Sequence, residues 1–161
     1  AGGIFSHQDI VFWQRRGADG VQMGTRFLAT RESSATQEYK EAVVNCSKED
    51  IAVTDPVFFP PGSPCGLPFR VITKSPMFCN SHLRKPLCNK GYVLRPDKDK
   101  MLACPAKEDC VKNMCVCNGL LSSAGDEENE LQLWTVGTNA YRVKEIVSVK
   151  TLMNELKGLT G

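Results

Sequence analysis

The clearest periodic pattern lies near the end of the chain. Ile146, Val149, Leu152, Met153 and Leu156 recur at helical spacing and put one apolar stripe on a helix that Gly158 ends. Near the start, Ser6 is followed three residues later by Asp9, a short capping box. Ile10, Val11, Phe12 and Trp13 then give a helix a broad apolar face, with Gly17 as its stop. "GVQM" (20–23) reads as a short buried strand between glycines, which "RFLAT" continues outward. Ser34 is placed to cap a second helix over roughly 35–45. "DIAVTDPVFF" (50–59) is strand-like, with Pro56 confining it to an edge or a strand end. "PPGSPCG" is a turn and "LPFRVI" a short extended piece. Residues 74–112 show no period and are expected to form a long irregular excursion with one short helix. "MCVCNGLLSSA" (114–124) reads as a short helix, "GDEENE" as a solvated acidic loop and "LQLWTVG" as a strand. Trp13 and Trp134 are expected in the core, and Phe58 and Phe59 packed under the excursion.

Composition narrows the class. The chain has 161 residues, 42% of them hydrophobic and 24% charged, enough for one domain with a real core. A net charge of +2 is too small to argue for nucleic acid or an acidic membrane surface. No apolar run approaches the roughly 18 residues of a membrane span. The chain opens on "AGGIF", without Met, like the end of a strand. We therefore expect a processed piece or a fragment, and, with no secretory leader in view, a cytoplasmic setting.

Two glycine-bearing turns flank the first helix: "AGG" before it and "GVQMGT" after it. Glycine lets backbone N–H groups approach an anion closely, and a helix start adds partial positive charge. Thr25 brings a hydroxyl and Gln22 an amide. In (β/α)8 barrels the loops after strands 7 and 8 commonly form a phosphate site. A strand–helix–strand unit with glycine at both strand exits suits that arrangement. The plainer alternative is that Gly2, Gly3, Gly20 and Gly24 are ordinary turn residues.

"AGGI…GADGVQMGTRFLATRESSATQEYK" resembles the late barrel segment of the nitronate monooxygenase family, formerly the 2-nitropropane dioxygenases. Related enoyl-acyl-carrier-protein reductases share it. "CVCNGLLSSAG" and "VGTNAYRVKEIVSVKTLMNEL" resemble the closing segment of a cysteine-bearing branch of NAD(P)H-dependent flavin oxidoreductases. The likeness covers 1–45 and about 114–158, with "GLPFRVI" between them. It implies an α/β fold, the C-terminal portion of a (β/α)8 TIM barrel, with a Cys-rich excursion and a closing strand and helix. By this reading residues 1–60 hold the last βα units, 61–125 the Pro- and Cys-rich excursion, and 126–161 the closing strand and helix. It implies FMN as cofactor. Gly3 would contact its phosphate through the backbone, and Gln22, Met23, Gly24 and Thr25 would form the second wall.

The implied activity is oxidation of an alkyl nitronate with O2. The alternatives are an NAD(P)H-dependent flavin reductase acting on an enoyl or quinone-like acceptor, and a non-catalytic metal- or partner-binding module. The partners expected are a small-molecule substrate, O2 or NAD(P)H and the missing N-terminal half of the barrel, with no nucleic acid and no membrane. The family's catalytic His belongs to that missing half, so no catalytic residue is assigned here. His7 is read as a solvated helix-start residue or a contact near the phosphate, and His82 as a surface residue. A partial barrel exposes strand edges, so the chain is expected to be marginal by itself.

Eight Cys is a high count, and Cys88, Cys104, Cys110, Cys115 and Cys117 fall within one short segment. Cys104-x5-Cys110-x4-Cys115-x-Cys117 lacks the paired knuckles of zinc sites and the C-x2-C runs of iron–sulfur clusters. No metal ligand is assigned. Plain packing, redox-active thiols, a metal site and disulfides stay open. "GTNAYR" (137–142) joins the closing strand to the last helix. Tyr141 and Arg142 could close over the active-site mouth, or the segment could be a capping and packing turn.

Overall fold

The structure is a computed structural model and describes residues 1–55, 60–85, 95–97, 100–102, 104–126 and 131–159. Pro56, Phe58, Phe59, Cys88 and most of the acidic "DEENE" run lie outside the described residues. The chain divides into two compact units, one built from 1–51 and 136–161 and the other from 52–135.

The first unit is helical and opens with α1 (His7–Gln14). The capping box forms as expected: Ser6 Oγ accepts from the Asp9 N–H, and the Asp9 carboxylate accepts from the Ser6 and Phe5 N–H groups at 2.9 Å each. The Ser6 N–H is the main cause that holds the Asp9 carboxyl below its ordinary range. Burial opposes it, while the Phe5 N–H, the Ser6 hydroxyl and Arg142 assist. The broad apolar face of α1 is not buried, however. Phe12 and Trp13 are each 46% exposed, in edge-to-face contact, and Arg16 lies over the Phe12 ring. Trp13 is therefore not a core residue.

The expected strand at 20–23 does not form. Strands exist by pairing, and among the described residues nothing pairs with this segment or with Ala1–Gly3. "RFLAT" is not its continuation either: α2 (Thr25–Leu28) begins directly after Gly24. The next helix, α3 (Gln37–Asn45), is capped by Thr36 rather than Ser34. Thr36 Oγ1 accepts from the Tyr39 N–H, while Lys40 is buried and donates to the Arg31 and Ser33 carbonyls.

Second-unit elements begin with β1 (Ile51–Thr54), paired with β2 (Phe69–Ile72). Residues 74–112 are more regular than expected. They hold α4 (Pro76–Cys79), a 3-10 turn at Ser81–Leu83, an antiparallel pair of β3 (Arg95–Asp97) and β4 (Lys100–Leu102), and α5 (Pro105–Glu108). Pro76 and Pro105 start these helices because proline at the first helical position loses no needed donor. α6 (Val116–Ser123) lies where a short helix was expected.

"LQLWTVG" makes only one isolated bridge, Thr135 to Val71. Its polar groups are spent elsewhere. The Leu133 N–H donates to Gly119 O and Ser123 Oγ, and the Trp134 N–H donates to Ser75 Oγ. Gln132 O accepts from Met77 N and Ser75 Oγ. Leu133 is fully buried with Val71, Met77 and Met114. Trp134 is half-buried, its indole N–H donating to Gln132 Oε1.

The last helix, α7 (Val149–Leu156), returns to the first unit. Leu152 and Leu156 are buried as the period requires, and Ile146 lies before the helix starts. Ser148 Oγ accepts from the Thr151 N–H, and the Glu32 carboxylate accepts from the Val149 N–H. Thr30 and Val147 form a parallel bridge beside this start. Gly158, at φ +72°, closes the helix as expected.

Two outcomes follow for stability. A Cβ added at Gly119, inside α6, would sit 2.7 Å from Leu133 Cβ and 3.3 Å from Met77 Cε. Overpacking of this kind costs about 1–3 kcal/mol, against a helix-propensity gain of about 1 kcal/mol. Gly119→Ala is therefore expected to lower the denaturant midpoint, and a rise would overturn this packing. Asp9→Ala is expected to cost about 1 kcal/mol at neutral pH. The folded-state pKa of Asp9 is depressed, so its contribution is complete above the unfolded carboxylate range and disappears as pH falls through the folded value. Denaturation of wild type and variant across pH 2–7 should show the two curves converging at the acid end.

Candidate functional site

A cavity of about 360 Å³ opens in the first unit. Three stretches of chain that are far apart in sequence form its walls: 1–5, 22–26 and the turn that carries Gly137, Asn139 and Ala140. Gly3, Gln22, Met23, Gly24 and Thr25 all line it, so the structure brings the five sequence-selected residues together.

The first wall is the "AGG" turn. Gly2 and Gly3 are consecutive residues at φ +77° and +72°, a conformation that side chains with a Cβ rarely adopt. The second wall is the Gly24 turn, where Gly24 precedes α2 and its carbonyl accepts from Phe27 and Leu28. In the protein the N–H groups of Gly2, Gly3, Ile4, Gly24 and Thr25 donate to no acceptor among the described residues. Gly2, Gly3 and Gly24 are exposed and Ile4 and Thr25 half-buried, so these amides are open to an acceptor from outside. Backbone amides gathered from two glycine turns suit an oxyanion, because the close approach costs no side-chain clash.

Thr25 acts differently from the expectation. Its hydroxyl oxygen accepts from the Gly137 N–H at 2.8 Å, which leaves only the hydroxyl hydrogen to donate toward a ligand. Gln22 is exposed and Met23 half-buried at the rim.

Arg26, which the sequence reading passed over, also lines the cavity. Its charge is already committed. The guanidinium pairs with both carboxylate oxygens of Glu155 and donates to Phe5 O at 3.0 Å. It also lies 4.4 Å from the centre of the Phe5 ring, whose centre Arg142 approaches at 4.2 Å. Arg142 and Tyr141 do not line this cavity. Arg142 lines a smaller neighbouring hollow of about 170 Å³, with Phe5, Arg26 and Glu155. The closing segment is thus represented at the cavity by Gly137, Asn139 and Ala140 rather than by the two side chains that chemistry had singled out.

His7 stands outside the cavity. Its Nδ1–H donates to Leu156 O at 2.9 Å, and its ring fills the space beside Gly158. It is a closing donor for the end of α7, neither a solvated residue nor a phosphate contact. His82 is exposed on its 3-10 turn.

Apart from buried Cys46, the described cysteines lie in the second unit. Among the described residues no three His, Cys, Asp or Glu side chains gather in a way that could hold a metal ion. Cys104 is buried, and Cys110, Cys115 and Cys117 are partly so. Cys65 is an exposed thiol 2.7 Å from Ser63 Oγ. Burial pushes this thiol up, but hydrogen bonds from Ser63 and from the Leu67 and Cys65 N–H groups outweigh it and leave the pKa lowered.

Comparison with known proteins places this geometry in context. Over 55 residues the chain is 49% identical to a probable nitronate monooxygenase of Staphylococcus haemolyticus and 46% identical to one of Staphylococcus saprophyticus. Each match covers 34% of this chain and only 15% and 16% of the respective relative. FabK of Thermotoga maritima has a similar structure, with a TM-score of 0.60 and 28% identity over 98% of this chain. The chain spans 42% of that FabK chain. A mutant of the same FabK superposes with a TM-score of 0.58 at 24% identity, a likeness of fold. These neighbours agree with an α/β fold of the TIM-barrel kind. The sequence pattern of the nitronate monooxygenase family matches residues 1–158, and the chain belongs to that family of oxidoreductases.

Proposed function

We propose that this chain carries the phosphate-binding part of an FMN-dependent oxidoreductase of the nitronate monooxygenase type. The observation that supports it most is the set of unpartnered amides at Gly2, Gly3, Ile4, Gly24 and Thr25 around one cavity. They suit the phosphate end of FMN in number and kind. No side chain fills the space next to Gly2, Gly3 or Gly24, where an added Cβ would meet nothing within 4 Å. Residues Gly3 and Gly24 would hold the phosphate through the backbone, Thr25 would donate its hydroxyl hydrogen, and Gln22 and Met23 would border the group on the open side.

When bound, FMN would supply the electron-transfer chemistry. The chain's own part is to bind and orient. Fixed N–H dipoles would solvate the dianion without a mobile cation, and Arg26, already paired with Glu155, adds no net charge. His7 and His82 take no part in the chemistry. The substrate proposed is an alkyl nitronate with O2 as co-substrate, on the strength of the family. The likeness to FabK keeps an NAD(P)H-dependent flavin reductase as a second reading, since the same phosphate grip would serve it. Anaerobic mixing separates the two: flavin bleached by NADH or NADPH favours the reductase, and flavin bleached only by nitronate favours the monooxygenase.

Titration of the protein with FMN and with riboflavin, followed by flavin fluorescence, tests the grip. FMN is expected to bind at least about tenfold more tightly, as one charge-assisted hydrogen bond alone is worth about 1.5–3 kcal/mol. FMN affinity should fall as pH drops through about 6, where a phosphomonoester loses its second charge, and riboflavin affinity should not follow. Equal affinities for the two flavins would overturn the assignment.

A further inference from the structure

We propose that Asn139 is the positioning residue of the phosphate turn: its carboxamide clamps the Gly3 carbonyl and so fixes the amides that meet the anion. This deepens the reading above and rests on it.

Little else holds the turn. Gly2 and Gly3 are adjacent and both at positive φ. Glycine has the largest backbone freedom to lose on folding, so two in a row make a turn that does not order itself. Among the described residues, the segment Ala1–Ile4 takes part in one hydrogen bond, from Asn139 Nδ2 to Gly3 O at 2.7 Å. The next anchor is at Phe5, whose carbonyl accepts from Arg26 and whose N–H donates to Asp9. Asn139 therefore fixes the end of the turn that faces the cavity, and Phe5 fixes the end that runs into α1.

Asn139 is itself well placed to be rigid. The turn that carries it is anchored two residues earlier, where the Gly137 N–H donates to Thr25 Oγ1. Space is tight there: a Cβ at Gly137 would come within 3.2 Å of that oxygen. One residue later Ala140 is fully buried, and its N–H donates to Gly137 O. The two bonds make a bridge. Thr25 belongs to the second glycine wall and Gly3 to the first, and the turn at 137–139 ties one to the other across the cavity. The distance between the two sets of amides is thus set by a third segment more than a hundred residues away in sequence. Preorganisation of this kind acts on binding because the ordering of the donors is complete before the ligand arrives.

Three variants test this: Asn139→Ala, which removes the clamp; Asn139→Leu, which keeps the size without charge but lacks the donor; and Asn139→Gln, which restores a donor on a longer arm. Each is titrated with FMN and with riboflavin, and thermal midpoints are recorded alongside. The Ala variant is expected to lose about tenfold or more in FMN affinity, the worth of a preorganised donor set, with riboflavin affinity unchanged and part of the loss recovered in the Gln variant. Should the Ala variant fail to fold, the Leu variant reads the same loss of donor. Equal losses for FMN and riboflavin would show a merely structural role and overturn the proposal, as would an unchanged FMN affinity. Backbone order parameters at Gly3 and Ile4 give a readout that needs no flavin: they should fall in the Ala variant while that of Gly119 is unchanged. A wild type that binds both flavins alike removes the phosphate reading, and unaltered order parameters at Gly3 remove the clamp.

Discussion

The first unit depends on what Arg26 holds together. One guanidinium, with its side chain only 10% exposed, grips both oxygens of Glu155 on α7, the carbonyl of Phe5 before α1, and the face of the Phe5 ring. Three segments distant in sequence meet at one planar cation, whose fork of donors matches a carboxylate in a way that lysine cannot. Removing Glu155 would leave a largely desolvated guanidinium, whereas Glu155, its side chain 44% exposed, would stay hydrated without Arg26. The geometry of the cavity follows, since Phe5 and Arg26 both border it. The cation supports the wall without being available to a ligand.

The second unit repeats the device with a different partner set. Arg84 is buried and, among the described residues, donates to the carbonyls of Met77, Phe78, Cys110 and Val111. No carboxylate among the described residues pairs with it, and burial lowers its pKa, while the Cys110 and Cys79 thiols act in the opposite sense. Carbonyls left over at the end of α4 and in the stretch after α5 are thereby satisfied by a side chain. Irregular chain of this kind can pack closely only if its backbone groups find such partners.

How much of this was legible in the sequence depends on the range of the cause. Local signals read well. The Ser6–Asp9 capping box, the stripe of α7 and the Gly158 stop are set by residues within one or two turns of each other. Signals that need a partner elsewhere read poorly. The segments 20–23 and 131–135 look like strands by composition. One has no ladder beside it among the described residues, and the other spends its amides on Ser75, Gly119 and Ser123. Residues 74–112 show no period, yet Pro76 and Pro105 each open a short helix there. For the candidate site, glycine spacing pointed to the five residues that line the cavity. It could not show Asn139, whose role lies in a bond across 136 positions to a carbonyl that carries no sequence signature. The charged Arg142 drew attention instead, as charge does, although it stacks on Phe5.

The chain has two tryptophans, and each unit contains one of them. Trp13 is nearly half open to water on α1, whereas Trp134 is more enclosed and hydrogen-bonded through its indole nitrogen. The molecule therefore comes with a built-in pair of optical probes of unlike colour: a red-shifted, iodide-quenchable emitter reporting on one half and a bluer, shielded emitter reporting on the other. Conversion of either to phenylalanine would let the melting of each half be watched separately.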